Sequence, residues 1–102
     1  MHVEINYRDL AKSDRLNEHI TESIDHHLSR YDSRITRVEV HVGDINGHKP
    51  GENDKRCMME ARPKGLPPVV SEAYAGDIYN AVRDATNKLG RVLERRLARH
   101  AS

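Results

Sequence analysis

Val38-Glu39-Val40-His41-Val42 alternates apolar and polar side chains, the two-residue period of a strand with one buried face and one wet face. Upstream, Leu16, Ile20, Ile24, Leu28 and Tyr31 recur every three or four residues, which predicts an amphipathic helix over residues 14–31. Ser13 stands where its N-cap belongs, Asp14 supplies an acid to the first turn, and Asp32-Ser33 end it. Further upstream, Val3, Ile5 and Tyr7 alternate with Glu4, Asn6 and Arg8, a first strand. Strand, helix, strand is a crossover, and a crossover places its two strands parallel.

Downstream, residues 43–54 hold three Gly and one Pro among mostly polar neighbours and are expected to form a long loop. A third strand over residues 56–62 puts Cys57, Met59 and Ala61 on one face, with Arg56, Glu60 and Arg62 beside Met58 on the other. Residues 63–68 make a turn around Lys64-Gly65, so the third and fourth strands pair as a hairpin. In the fourth strand, residues 69–75, Val69, Ser71 and Ala73 are assigned inward and Val70 and Tyr74 outward. Asp77 caps a last helix over residues 78–100, whose apolar stripe is Ile78, Val82, Ala85, Leu89, Val92 and Leu93. Gly90 interrupts that helix at a cost of about 1 kcal/mol relative to Ala. The chain is thus expected to be one α+β domain over residues 1–102, in the order β-α-β-β-β-α. Its four-stranded sheet has one wet face, and both helices pack on the other.

Composition agrees with a small folded domain. Hydrophobic residues make up 36% of the 102, with no Trp or Phe, so the core must be Val, Ile, Leu, Met and a few Tyr. The single cysteine, Cys57, excludes an intramolecular disulfide and fits a reducing, cytoplasmic setting. No apolar run approaches the roughly 20 residues that cross a bilayer, so no membrane partner is expected. The net charge of +1 hides an asymmetry. Residues 1–82 carry 11 Lys/Arg against 14 Asp/Glu, a balance of −3, whereas residues 83–102 carry 6 against 2, a balance of +4. A basic end on a near-neutral chain points to a local polyanion contact.

That end has a pattern. At about 100° per residue from Ile78, Lys88, Arg91, Arg95 and Arg99 fall at about 280°, 220°, 260° and 300°, on one flank of the helix. At ~1.5 Å per residue they span roughly 16 Å, enough to follow several phosphates, and the negative end of the helix dipole favours cations there. Asp84 lies on the same flank and Glu94 nearby, which weakens the field of the row. Arg96 falls on the apolar line, a position suited to a snorkelling side chain. On the first helix Arg15, His19, His26 and Arg30 share a flank, interrupted by Glu22, so the paired helices would present two basic rows with a groove between them. The plain alternative is that a charged flank is the solvated side of an amphipathic helix.

Other chemistry finds little footing. His19, Glu22 and His26 have metal-ligand spacing but no fourth ligand, and Cys57 is placed inward to pack. No Gly-rich phosphate loop or nucleophile elbow is present, so no enzyme activity, cofactor or small-molecule substrate is expected. A protein-interaction regulatory module without RNA binding is the alternative function. It would dock through the open sheet face, where Met58, Val70 and Tyr74 are the apolar candidates, or through the residue 43–54 loop.

Several stretches resemble the ribosome hibernation-promoting factors, the sigma-54 modulation or ribosome-associated inhibitor family. Ala73-Tyr74-Ala75-Gly76-Asp77-Ile78-Tyr79-Asn80-Ala81-Val82 looks like that family's last strand and helix start, and Asn87-Lys88-Leu89-Gly90-Arg91-Val92-Leu93 like its basic second helix. Leu28-Ser29-Arg30-Tyr31, Ile35 and Val38 to Val42 resemble the first-helix end and second strand. The resemblance implies a β-α-β-β-β-α fold that binds the small ribosomal subunit and its 16S-type rRNA. It further implies occupation of the mRNA and tRNA channel and silencing of translation in stationary phase or stress. It places Lys88, Arg91 and Arg95 where the family carries rRNA-contacting basic residues. Ser23, His26 and His27 depart from it, standing where the family usually has lysines, and the end at Ser102 resembles the family's short form.

Overall fold

In the computed structural model, which describes residues 1–45 and 53–99, the alternating stretches pair into one sheet of order β1-β2-β3-β4. The elements are β1 (His2–Arg8), α1 (Asp14–Leu28), β2 (Ile35–Asp44), β3 (Lys55–Pro63), β4 (Val69–Ala75) and α2 (Ile78–Arg99). A 3-10 helix (Ser29–Arg34) joins α1 to β2. As the crossover requires, β1 and β2 are parallel, with Val3, Ile5 and Tyr7 opposite Val38, Val40 and Val42. The other pairs are antiparallel, so Val40, Met59 and Ser71 form one rung across the inner face.

Both helices cover that inner face. Ile20, Ile24, Leu28, Val38, Val40, Met59, Leu89 and Leu93 are buried together. Burying each such large side chain contributes about 1.5–3 kcal/mol over leaving it in water. The polar groups that enter this layer find partners: Ser71 Oγ donates to Ala85 O at 2.8 Å, and Thr86 Oγ1 to Val82 O at 2.7 Å. Helix starts are fastened as their sequences predict, with Leu16 N donating to Ser13 Oγ at 3.1 Å and Tyr79 N to Asp77 Oδ1 at 2.7 Å. The hydroxyl of Tyr7 donates to Asn17 Oδ1 at 2.7 Å and ties the end of β1 to α1.

The helices run side by side and parallel, because contacts near their starts and ends match. His19 meets Tyr79 with ring centroids 4.9 Å apart, and Arg30 at the end of α1 lies 4.0 Å from Glu94 in α2. A strand direction count gives the same result, since each helix follows a strand pointing one way and returns along the sheet.

Boundaries differ from the sequence reading in three places. The helix predicted to reach Tyr31 winds as α only to Leu28 and then tightens into 3-10 turns, a common way for a helix end to swing the chain into the next strand. Pairing carries β2 to Asp44 and β3 back to Lys55, and Ile45 N donates to Asp54 O at 2.9 Å, so the expected loop is narrowed from both sides. Its residues 46–52, like His100 of the last predicted helix, lie outside the described residues. The buried arc of α2 also takes in Ala81, Thr86 and Leu97, whereas Ile78 and Val92 are half-buried. Thr86 and Leu97 fall on the side that α1 covers, so the neighbouring helix widens the stripe there.

Candidate nucleic-acid interface

The cations of this protein fall into two populations. On the open sheet face Arg37, Arg56 and Arg62 are engaged by glutamates, while Arg8 makes no ion pair among the described residues. Glu4, Glu39 and Glu60 stand on one rung across β1, β2 and β3, an arrangement of like charges that repels unless compensated. Arg37 bridges Glu4 and Glu39, and Arg62 lies 2.9 Å from Glu60 and 3.7 Å from Glu39. At the other end of the sheet Arg56 Nε donates to Glu72 Oε2 at 2.7 Å. These arginines are spent on holding the sheet face together.

On α2 the cations are placed differently. Lys88, Arg91, Arg95 and Arg99 are all exposed, and among the described residues none of the four makes an ion pair. Of the two acids of the helix, Asp84 lies on the same flank but is engaged by Arg83 at 3.4 Å, and Glu94 lies off the row and faces Arg30. Lys88 Nζ donates to the Glu72 carbonyl at 3.0 Å. That bond fastens the row to the edge strand β4 and caps one of its unpaired carbonyls. The row therefore keeps its charge toward solvent, in the low-acid neighbourhood that a phosphate contact requires.

The row on α1 is less uniform. Arg15 and His26 are exposed, and His26 packs edge-on against His27 at 5.0 Å. Arg30 stacks over Tyr31 at 4.8 Å and shares Glu94. His19 is a packing residue at the helix seam, with its Nε2 buried against Tyr79 and unpartnered. His27 turns its Nδ1 to Ser23 O at 2.9 Å.

The two rows do not face each other across a groove. Tyr79, Gly90 and Glu94 mark the α2 flank that meets α1, whereas Lys88 marks the opposite flank, over β4. The α1 row lies at the helix seam, and the α2 row lies on the far side of the crest of α2. Helical angles order residues around each axis; only packing tells which flank meets the neighbour.

Arg8, Lys12, Arg15 and Arg96 likewise make no ion pair among the described residues, and neither do two cations outside the main helices and strands, Arg34 and Lys64. Helical periodicity could not find them, because one sits in the 3-10 helix and the other in the β3–β4 turn. Cys57 is fully buried, and burial pushes its thiol up to about 12, so it stays protonated and inert. Among the described residues no three His, Cys, Asp or Glu side chains gather as metal ligands would, and no helix is long and apolar enough to cross a membrane.

A four-stranded sheet backed by two parallel helices, the second carrying an exposed cationic flank, defines an α+β domain of order β-α-β-β-β-α. The chain belongs to the sigma 54 modulation protein / S30EA ribosomal protein family, whose model matches residues 3–101. This is a family of ribosome-associated proteins. Among solved structures, a ribosomal subunit interface protein from Coxiella burnetii superposes with a TM-score of 0.81 at 17% identity, covering 96% of this chain and 99% of that one. The N-terminal domain of Protein Y from Thermus thermophilus gives 0.76 at 20% identity, over 93% and 98%. At those identities the likeness speaks for the fold. No curated protein matches the chain.

Proposed function

We propose that this protein is a translation-silencing hibernation factor that binds the small ribosomal subunit, laying α2 along 16S-type rRNA in the channel used by mRNA and tRNA. One observation carries the reading: Lys88, Arg91, Arg95 and Arg99 form an exposed row with no ion pair among the described residues, in a chain whose sheet-face arginines Arg37, Arg56 and Arg62 are paired. Phosphate oxygens supply the missing counter-charge, and occupation of the channel blocks translation without any catalytic step. Arg15, His26 and Arg30 add a second, weaker set of contacts from the helix seam. The sheet face, where Arg37, Arg56 and Arg62 are already matched by glutamates, is turned away from the RNA. Family membership supports the ribosome as partner and the cytoplasm as the place of action, and stationary phase or stress is the occasion this reading expects.

The test is co-sedimentation with small subunits. Lys88→Glu combined with Arg91→Glu is expected to abolish pelleting while leaving the far-UV circular dichroism spectrum and melting temperature near those of the parent. Undiminished pelleting of that double variant would reject the assignment. A protein-docking role would need an apolar patch, and the described residues offer Val70 at 53% and Tyr74 at 45% exposure, separated along β4 by the paired Glu72, and Ile45 at 57% beyond the end of β2. That is too little apolar area to favour it.

A further inference from the structure

We propose that Arg34 and Lys64 form a second phosphate-binding site at the end of the molecule where α2 terminates, so that an RNA backbone held along α2 turns this corner; the proposal rests on the rRNA reading above. The two residues are fixed together by the main chain. Lys64 N donates to Arg34 O at 2.9 Å, and on the next rung Ile35 stands opposite Pro63. The turn that carries Lys64 is held by Gly65 at φ 73°, and Arg34 closes the 3-10 helix. Two cations thus spring from adjacent backbone positions, where like charges repel.

Their neighbours sharpen the point. A few residues along the same strand pair, Arg37 stands opposite Arg62, and those two arginines share Glu4, Glu39 and Glu60. Arg34 and Lys64 have no such acid. Asp32 is engaged by the Met1 backbone nitrogen at 3.2 Å, and Glu94 by Arg30. The repulsion between Arg34 and Lys64 has no internal compensation among the described residues, and an anion bridging both would remove it.

The end of α2 brings more charge to the same place. With 22 residues, α2 is about 33 Å long, while the seven residues of β4 cover about 23 Å. Since α2 starts just past the end of β4 and returns along it, its last two turns overhang the sheet by roughly 10 Å. The overhang carries Arg96 and Arg99 to the end where the β3–β4 turn and the 3-10 helix lie. Half-buried Arg96 lies on the inward side of this overhang, off the α2 row. A phosphodiester chain is the occupant this favours, because the cations continue a row already spaced for one.

The experiment measures affinity across a potassium chloride series, on intact small subunits and on protein-free small-subunit rRNA. Arg34→Gln with Lys64→Gln is expected to weaken binding about tenfold and to flatten the slope of log affinity against log salt by roughly 1.5. The charge-keeping swap Arg34→Lys with Lys64→Arg should bind as the parent does, which separates charge from folding. Arg62→Gln removes a paired cation of the same strand pair and should leave the slope unchanged; an equal loss there would overturn the proposal in favour of diffuse charge. Arg91→Gln with Arg95→Gln gauges the underlying reading. If that variant weakens binding and the Arg34–Lys64 variant does not, the corner site is wrong and the helix reading stands. If neither weakens it, both fall. A loss on intact subunits but not on rRNA that still responds to the α2 variant would overturn the corner site in favour of an acidic ribosomal protein.

Discussion

Gly43 lies opposite Arg8 at the end of the parallel pair, and a Cβ built on it would stand 2.8 Å from the Arg8 carbonyl oxygen. That oxygen belongs to the backbone and cannot swing away, so Gly43→Ala must push β1 from β2. Gly90, inside α2, has the opposite character: its Cβ would meet Leu28 Cδ2 at 4.0 Å, an ordinary contact. There the glycine serves no close approach, and the helix bears its entropic cost. Gly90→Ala is expected to raise stability by about 0.5–1 kcal/mol, and Gly43→Ala to lower it by about 1–3 kcal/mol. Urea denaturation midpoints of the two variants would check both signs, and a stabilised Gly43→Ala would mean that the strands separate freely at that end. The pair illustrates how far a residue can be judged alone, since both positions read as glycine and their surroundings differ.

At the scale of elements, the open face of the sheet is held by charges that strand alternation assigns correctly to one side but cannot pair. The hydrogen bond from Arg56 holds the Glu72 carboxyl below its ordinary value of 4.5, helped by a second from Tyr74. A carboxyl depressed on folding stabilises the folded state above its unfolded value, and that contribution disappears as pH falls through the folded one. Melting temperatures of the parent and of Arg56→Gln are therefore expected to differ by a constant amount above about pH 4.5 and to converge below it. A gap that persists undiminished at lower pH would mean that Arg56 stabilises by packing alone. The effect should be small, because both side chains are partly exposed and water screens them.

For the whole molecule, the contrast between Arg37, Arg56 and Arg62, matched by glutamates on the sheet face, and the unpaired row on α2 would set how it meets a polyanion. A neutralised sheet face adds little to attraction, so the helix side should dominate the salt response. If the four cations of the α2 row each displace a counterion, log affinity should fall against log salt with a slope of about −3, steeper if the corner cations also engage. Titration of labelled protein with small subunits at several salt concentrations measures that slope. A flat response would show that phosphate contacts do not hold the complex.

The element order, the parallel first pair, the inward set of Val38, Val40, Val42, Cys57, Met59, Val69, Ser71 and Ala73, and the cationic row on α2 were all legible from spacing. Each depends on a local period of two or 3.6 residues, and such periods are properties of the chain itself. Tertiary structure alone decided which side of α2 meets α1, and hence that the two basic rows are separated by a crest. It alone decided that Arg37, Arg56 and Arg62 are matched by glutamates while Arg91 and Arg95 are not, and that Arg34 and Lys64, thirty residues apart, share a backbone hydrogen bond. The physical reason is the same in each case: charge acts through distances in space, and those distances exist only once strands pair in register and helices choose a side.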